Sequence, residues 1–161
     1  MPIRLQIQDG PYRGVSRAEV LRRARVMCAD LQLDNSELSI VLTGDDQIQE
    51  LNKSYRHKDR PTDVLAFAMR EARFEGAASD LLGDVVVSVP RARVQASERG
   101  VDLMAEITML LAHGILHLLG WDHDTPAKDR RMRGRTLRLC DAASRVRAPA
   151  PGAGPRRAIR R

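Results

Sequence analysis

Between Ile107 and Trp121 the chain runs fifteen residues without a charged side chain, and His113 and His117 lie inside that run. A stretch this apolar must be covered by the rest of the fold. It is short of the roughly 20 residues that span a bilayer, so it predicts a buried central helix rather than a membrane segment. Asp102 can cap its start and Gly120 can end it near Leu119. Residues four apart stack on one helical face, so the two imidazoles point the same way. A buried imidazole without a partner costs free energy. Past Gly120 the chain can turn back and bring in His123, so that three of the chain's four histidines fall within residues 113–123. A single metal ion would satisfy all three. Three protein ligands leave a fourth position open, which is the arrangement of a catalytic rather than a structural zinc site. The expected cofactor is therefore one zinc per chain, held by His113, His117 and His123.

The spacing H-x3-H-x2-G-x2-H over 113–123 matches the zinc motif of the metzincin proteases in all but one position. Those enzymes carry a glutamate base directly after the first histidine, where this chain has Gly114. The metal cage is retained and the peptidase base is missing.

Around the central helix the pattern is mixed. Residues 4–8, 38–42, 63–69 and 83–89 alternate or are rich in β-branched and large apolar side chains and read as strands. Ser16, with Glu19 three residues on, opens a helix from Arg17 to about Leu31. Thr43 or Gly44 opens another through about Ser54, followed by a charged loop over 55–63. A loop containing Gly76 spans 70–82, Pro90 starts a helix ended by Gly100, and Thr125-Pro126 starts a last helix to about Val146. The predicted fold is α/β (α+β): a small mixed sheet of about four strands layered with helices, the zinc-binding helix central.

The chain has 161 residues, which suits one domain. Its formal charge is +6, yet residues 145–161 hold six arginines and no acid, leaving 21 basic and 21 acidic side chains in residues 1–144. We expect a folded domain over 1–144 and a disordered basic tail, RVRAPAPGAGPRRAIRR, over 145–161. Such a tail suits a polyanionic partner or serves solubility alone. Aromatics at 3% argue against RNA binding carried mainly by stacking on exposed rings. Cys28 and Cys140 form no CxxC pair, and the N-terminal MPIRLQIQDG has no signal-like apolar run, so a reduced, cytoplasmic setting without a membrane partner is expected.

Three blocks, HGILHLLGWDHD (113–124), LNKSYRHKDRPTDVLAF (51–67) and LLGDVVVS (81–88), resemble in order and spacing the YbeY family of bacterial zinc-dependent endoribonucleases. The resemblance covers about residues 35–135. It implies a single-strand-specific endoribonuclease acting in 16S rRNA 3′-end maturation and small-subunit quality control. The implied partners are RNA (the 16S rRNA precursor), the small ribosomal subunit, and a ribosomal protein or assembly GTPase. Arg56 matches the arginine the family treats as functional, and a guanidinium fork suits phosphate oxygens; the bland alternative is a surface arginine paired with Asp59 or Asp63. Lys58 and Arg60 read as backbone contacts, and His57 as a solvated loop residue. Asp122 either orients a ligand imidazole or stabilises the turn. Glu106 reads as a helix-end ion pair and Trp121 as core packing, and Asp84 faces either a partner or a loop.

This chain departs from the family pattern twice: Ala66 replaces the usual Ser, and the Glu often found four residues after the methionine aligned with Met132 is Thr136 here. A non-catalytic assembly factor with a structural zinc and a metallopeptidase remain as alternative classes. The tail generates the first prediction. Deleting 145–161 should weaken binding to single-stranded RNA and lower its salt dependence, with zinc content unchanged. At about 0.7 per neutralised phosphate, six arginines set a ceiling near 4 units on the change in slope. Equal affinities and slopes for the full chain and 1–144, titrated at several salt concentrations, would exclude the tail as an RNA-binding element.

Overall fold

The computed structural model describes residues 2–33, 36–68 and 81–145. The tail beyond Arg145 and the loop around Gly76 lie outside the described residues. Nine elements follow one another among those described: β1 (Ile3–Ile7), α1 (Arg17–Asp30), β2 (Glu37–Thr43), α2 (Asp45–Arg56), β3 (Val64–Ala68), β4 (Leu81–Ser88), α3 (Val89–Arg99), α4 (Leu103–Leu118) and α5 (Pro126–Ser144). The sheet order is β1-β2-β4-β3, with β1, β2 and β4 parallel and β3 antiparallel at the edge. This is the mixed four-strand sheet that the sequence pattern predicts.

Strand alternation sorts the core into two unequal halves. Leu38, Ile40 and Leu42 of β2, with Val85 and Val87 of β4, face the main core, which they share with α1, α3, α4 and α5. Val41, Val86 and Leu65 face the other way, under Ile48 and Leu51 of α2. Between Glu37↔Leu81 and Leu38↔Gly83 the register skips Leu82, so this extra residue also reaches the main core. That slip is why β4 starts at Leu81, two residues before the alternation suggests.

The helix ends show where local chemistry overrides pattern. Ser16, Asp102 and Thr125 each accept a hydrogen bond from a first-turn amide, as the sequence suggests, and so does Ser88, which the pattern assigns to the strand. Gly44 caps α2 without a side chain, but Asp45 and Asp46 sit in the first turn, where the helix dipole favours them. At its other end α2 continues to Arg56, through Tyr55 and Arg56, which the sequence pattern assigns to the loop. Lys53 and Arg56 complement the dipole there, and His57 takes the left-handed conformation that ends the helix, with no glycine or proline to signal the stop. The last helix ends at Ser144 rather than near Val146. Among the described residues, no single helix is long and apolar enough to cross a membrane.

Helices α1, α4 and α5 are tied by one charged network. Glu19 accepts from Arg22 and Arg23 on its own helix; Arg22 also donates to the Ala143 carbonyl on α5, and Arg23 to Thr108 Oγ1 on α4. Hydrogen bonds from Arg22 and then Arg23 hold the Glu19 carboxyl down to about 2. A carboxylate with a depressed folded pKa adds stability that is complete above its unfolded value and fades as pH falls through the folded one. Glu19→Gln should therefore be less stable than the native chain at neutral pH. The gap should narrow between pH 4.5 and about 2, as read by chemical denaturation across that range. A gap that stays constant with pH would show that the network contributes through shape alone.

Candidate active site

Helix α4 carries the centre of the site. Eleven of its sixteen residues are buried, His113 and His117 are half-buried, and both lie on its open face. The helix ends at Leu118; Gly120, at φ 93°, provides the left-handed turn through which the chain doubles back. His123 thereby joins the pair. The candidate ligand atoms of the three histidines all lie within 4.8 Å of one another, and the Nε2 atoms of His113 and His117 are 3.0 Å apart. Zinc–nitrogen bonds of about 2.0–2.1 Å at tetrahedral angles place ligand nitrogens roughly 3.3 Å apart, so only small ring adjustments separate this cluster from a closed cage.

The electrostatics favour the metal-ligating form. Burial lowers the pKa of His113, and His117 and His123 lower it further. Burial likewise lowers that of His117, reinforced by His123 and Arg56 and opposed by a hydrogen bond to the Trp121 backbone and by Asp122. Neutral imidazoles are the form that binds metal. The backbone contact of His117 also orients its ring. The three residues can hold one metal ion.

Gly114 has a packing role. A Cβ there would lie 2.7 Å from Val85 Cγ1 and 3.2 Å from its Cγ2, with Val64 Cγ2 at 3.5 Å. The helix approaches the sheet so closely at this point that any side chain at 114 would force Val85 to shift.

Beside the centre lies a cleft of about 520 Å³, lined by Arg56, Lys58 and Arg60 together with His117. No acidic side chain lines it among the described residues. Asn52, buried at the end of α2, donates to the Arg60 carbonyl at 2.9 Å and pins the loop that carries these cations. Gln49 holds Asp59, and Asp63 accepts from the Val64 amide and from Gln95. Arg56 therefore pairs with neither acid. It donates through Nη2 to the Ala66 carbonyl at 2.6 Å, and its guanidinium carbon sits 5.3 Å from the Phe67 ring centroid. Because the acceptor is the backbone, alanine in place of serine at position 66 leaves this contact intact.

A second cavity, of about 370 Å³, borders His113 and His123 and is lined further by Arg99, Arg133 and Thr136. Thr136, standing where the family pattern often has glutamate, is buried and donates to the Met132 carbonyl at 2.8 Å. Arg99 and Arg133 carried no sequence signal, since single arginines on amphipathic helices are commonplace; only the topology brings α3 and α5 to the triad.

Other candidates sit elsewhere. Asp122 accepts from the Asp124 amide at 3.2 Å and lies 3.7 Å from Lys128 Nζ, which makes it a turn stabiliser. Glu106, only 1% exposed, lies 3.1 Å from Arg99 Nε; burial raises its pKa, Arg99 pulls it back, and Asp63 raises it again. Asp84 is paired with Phe67 in the sheet register, His57 is exposed, and Trp121 is half-buried against the core.

Fold and site together define a mixed α/β protein with a three-histidine metal-binding cluster beside a basic cleft. The family model described as Endoribonuclease YbeY matches residues 15–144, and the chain belongs to that family. Among curated relatives named Endoribonuclease YbeY, one from Sulfurihydrogenibium sp. is 50% identical, the match covering 63% of this chain and 65% of the relative. One from Synechocystis sp. is 52% identical, over 56% of this chain and 54% of the relative. One from Anaeromyxobacter sp. is 44% identical, over 91% and 75% respectively. The match thus spans just under two thirds of the first relative and about half of the second. Among solved structures, the solution structure of TM1509 from Thermotoga maritima aligns with TM-score 0.57 and 25% identity over 88% of each chain.

The triad makes a direct prediction. Purified protein should hold about one metal ion per chain, and His117→Ala should lose most of it and destabilise α4. Elemental analysis of the variant is the check; undiminished occupancy would mean that the ion sits elsewhere.

Proposed function

We propose that this protein is a zinc-dependent endoribonuclease that cleaves single-stranded RNA, acting in 16S rRNA 3′-end maturation and small-subunit quality control. The observation that carries the reading is the cleft in which Arg56, Lys58 and Arg60 converge on His117. His113, His117 and His123 are the proposed zinc ligands, and three nitrogen donors with an open fourth position suit a catalytic zinc. Zinc bound there would supply Lewis-acid polarisation of a phosphoryl oxygen and a lowered pKa for bound water.

The chain's own residues do the rest. Arg56 is held by the Ala66 carbonyl and the Phe67 ring, so its remaining donors are fixed in place before substrate arrives. A planar fork so held can bind the scissile phosphate and stabilise the charge that develops on it. Lys58 and Arg60, exposed on the pinned loop, neutralise neighbouring phosphates without reading sequence. Gly114 leaves no general base beside His113, consistent with phosphodiester rather than peptide chemistry. The cytoplasm is the proposed compartment, with the small ribosomal subunit and a ribosomal protein or assembly GTPase as partners.

Arg56→Ala should keep its zinc and fold but lose cleavage of a defined RNA by on the order of a hundredfold. Lysine should rescue poorly, because a point charge does not reproduce the fork. End-group analysis of the products, with a metal-free control, tests the class itself. No metal-dependent cleavage would favour a non-catalytic assembly factor, and an unchanged rate in Arg56→Ala would remove the assigned role.

A further inference from the structure

The two cavities beside the triad differ in chemistry. The cleft at His117 is lined by three cations, whereas the cavity at His113 and His123 has apolar walls. Met109 of α4 and Met132 and Leu137 of α5 supply them. Met132 is buried, Met109 is half-buried, and Leu137 is 63% exposed at the mouth of the cavity. Two guanidinium-bearing side chains rim the same space. Arg99 is anchored by the buried Glu106 carboxylate 3.1 Å from its Nε, and Arg133 is anchored one helical turn along by Asp129. The volume of about 370 Å³ lies in the range of small-ligand pockets.

A nucleic acid strand that places one phosphate at the triad must put nucleotides on both sides of it. The His117 cleft matches the charged backbone of one flank. The other flank then meets thioether and aliphatic surface bordered by planar cations, which is a surface for a flat, polarisable, uncharged group. Methionine sulfur and arginine planes both make favourable contacts with aromatic rings. The chain needs such a surface, because its scarce aromatic residues supply little stacking area.

We propose that the cavity formed by Met109, Met132, Leu137, Arg99 and Arg133 is a nucleobase subsite that holds one unstacked base of single-stranded RNA next to the phosphate at the histidine triad. This rests on the reading of the triad as an RNA-cleaving centre. Arg99 and Arg133 flank the face of the base, and Thr136 and Asp129 lie within the same lining for its polar edge. The subsite would select for an unpaired strand, since a base held in a duplex is not available to enter it.

The test uses binding, so that it stands apart from cleavage. The probe is a 2′-O-methylated RNA hexamer, which resists attack by its own 2′-hydroxyl, together with six versions that each lack one base. These are titrated by fluorescence anisotropy against the full chain and against Leu137→Glu; Leu137 is largely exposed, so its replacement leaves the core packing alone. With the native chain, removing the base at one position should weaken binding about tenfold, the scale of one stacked base. In Leu137→Glu the intact hexamer should bind about tenfold more weakly, and the penalty at that position should vanish. Met109→Ala, which adds no charge, should reduce the same penalty. A uniform small loss at every position, or a penalty unchanged in both variants, overturns the subsite. Cleavage of a defined RNA is scored separately: a base penalty that depends on Leu137 in a protein that does not cleave would sink the nuclease reading and leave the subsite standing.

Discussion

The close approach of α4 to β4 is the constraint on which the rest depends. Gly114 lets the helix backbone come near enough to Val85 that a single added carbon would collide. With the helix seated that deeply, Ile107, Leu111, Ile115 and Leu116 are fully enclosed, together with Val85 and Val87 of the sheet. At about 25 cal/mol per Å² of apolar surface removed from water, this one helix is among the largest single contributions to the fold. Its depth also decides the chemistry. Side chains on the buried arc must be apolar, so His113 and His117 are confined to the edge where α4 emerges between β3 and α5. The same wall of burial that stabilises the helix keeps those imidazoles neutral and ready for a metal.

Charge works locally here rather than by total. Residues 1–144 balance to zero by count, yet the cleft at His117 contains three cations and no acid among the described residues. Many arginines outside that cleft are paired with acids. Arg135 meets Asp30, Arg133 meets Asp129, and Arg22 and Arg23 share Glu19. Those ion pairs fasten helices to one another or brace single turns. Asp59 and Asp63 accept hydrogen bonds from Gln49 and Gln95, and neither forms an ion pair with Arg56. A basic cleft thus coexists with a neutral body, and the attraction felt by a polyanion depends on where the cations are left unpaired.

The sequence was legible where a feature depends on residues close in the chain. The helix bearing HGILHLLGWDH, its cap at Asp102, its stop near Gly120 and the convergence of three histidines all follow from spacing, and the mixed sheet follows from four apolar runs. What was not legible depends on contacts across the fold. The extension of α2 to Arg56 rests on a left-handed histidine, a residue that gives no stop signal. The skipped residue Leu82 exists because β4 has to keep register with β2 and still present Val85 to α4. The link between Arg56 and the Ala66 carbonyl spans two elements and uses a backbone acceptor that no side-chain pattern reveals. The second cavity joins α3, α4 and α5 through residues up to 38 positions apart, from Arg99 to Leu137, and no local motif marks it.

The absent glutamate after His113 can be understood on the same terms. Read as a motif, HGILH is a protease signature with its base deleted. Read as packing, position 114 belongs to the interface between helix and sheet, and its occupant is chosen by Val85 and Val64 rather than by a substrate. A side chain placed there would press on the Val85 methyls of β4, so helix–sheet packing constrains what position 114 can hold. Polar groups that meet substrate must come instead from elements that overhang the triad. Arg56 at the end of α2 and Arg99 and Arg133 on α3 and α5 stand beside the triad, all cationic and none suited to act as a general base toward water. The His117 cleft, with three cations and no acid among the described residues, favours an anionic substrate, which supports the proposed phosphodiester chemistry.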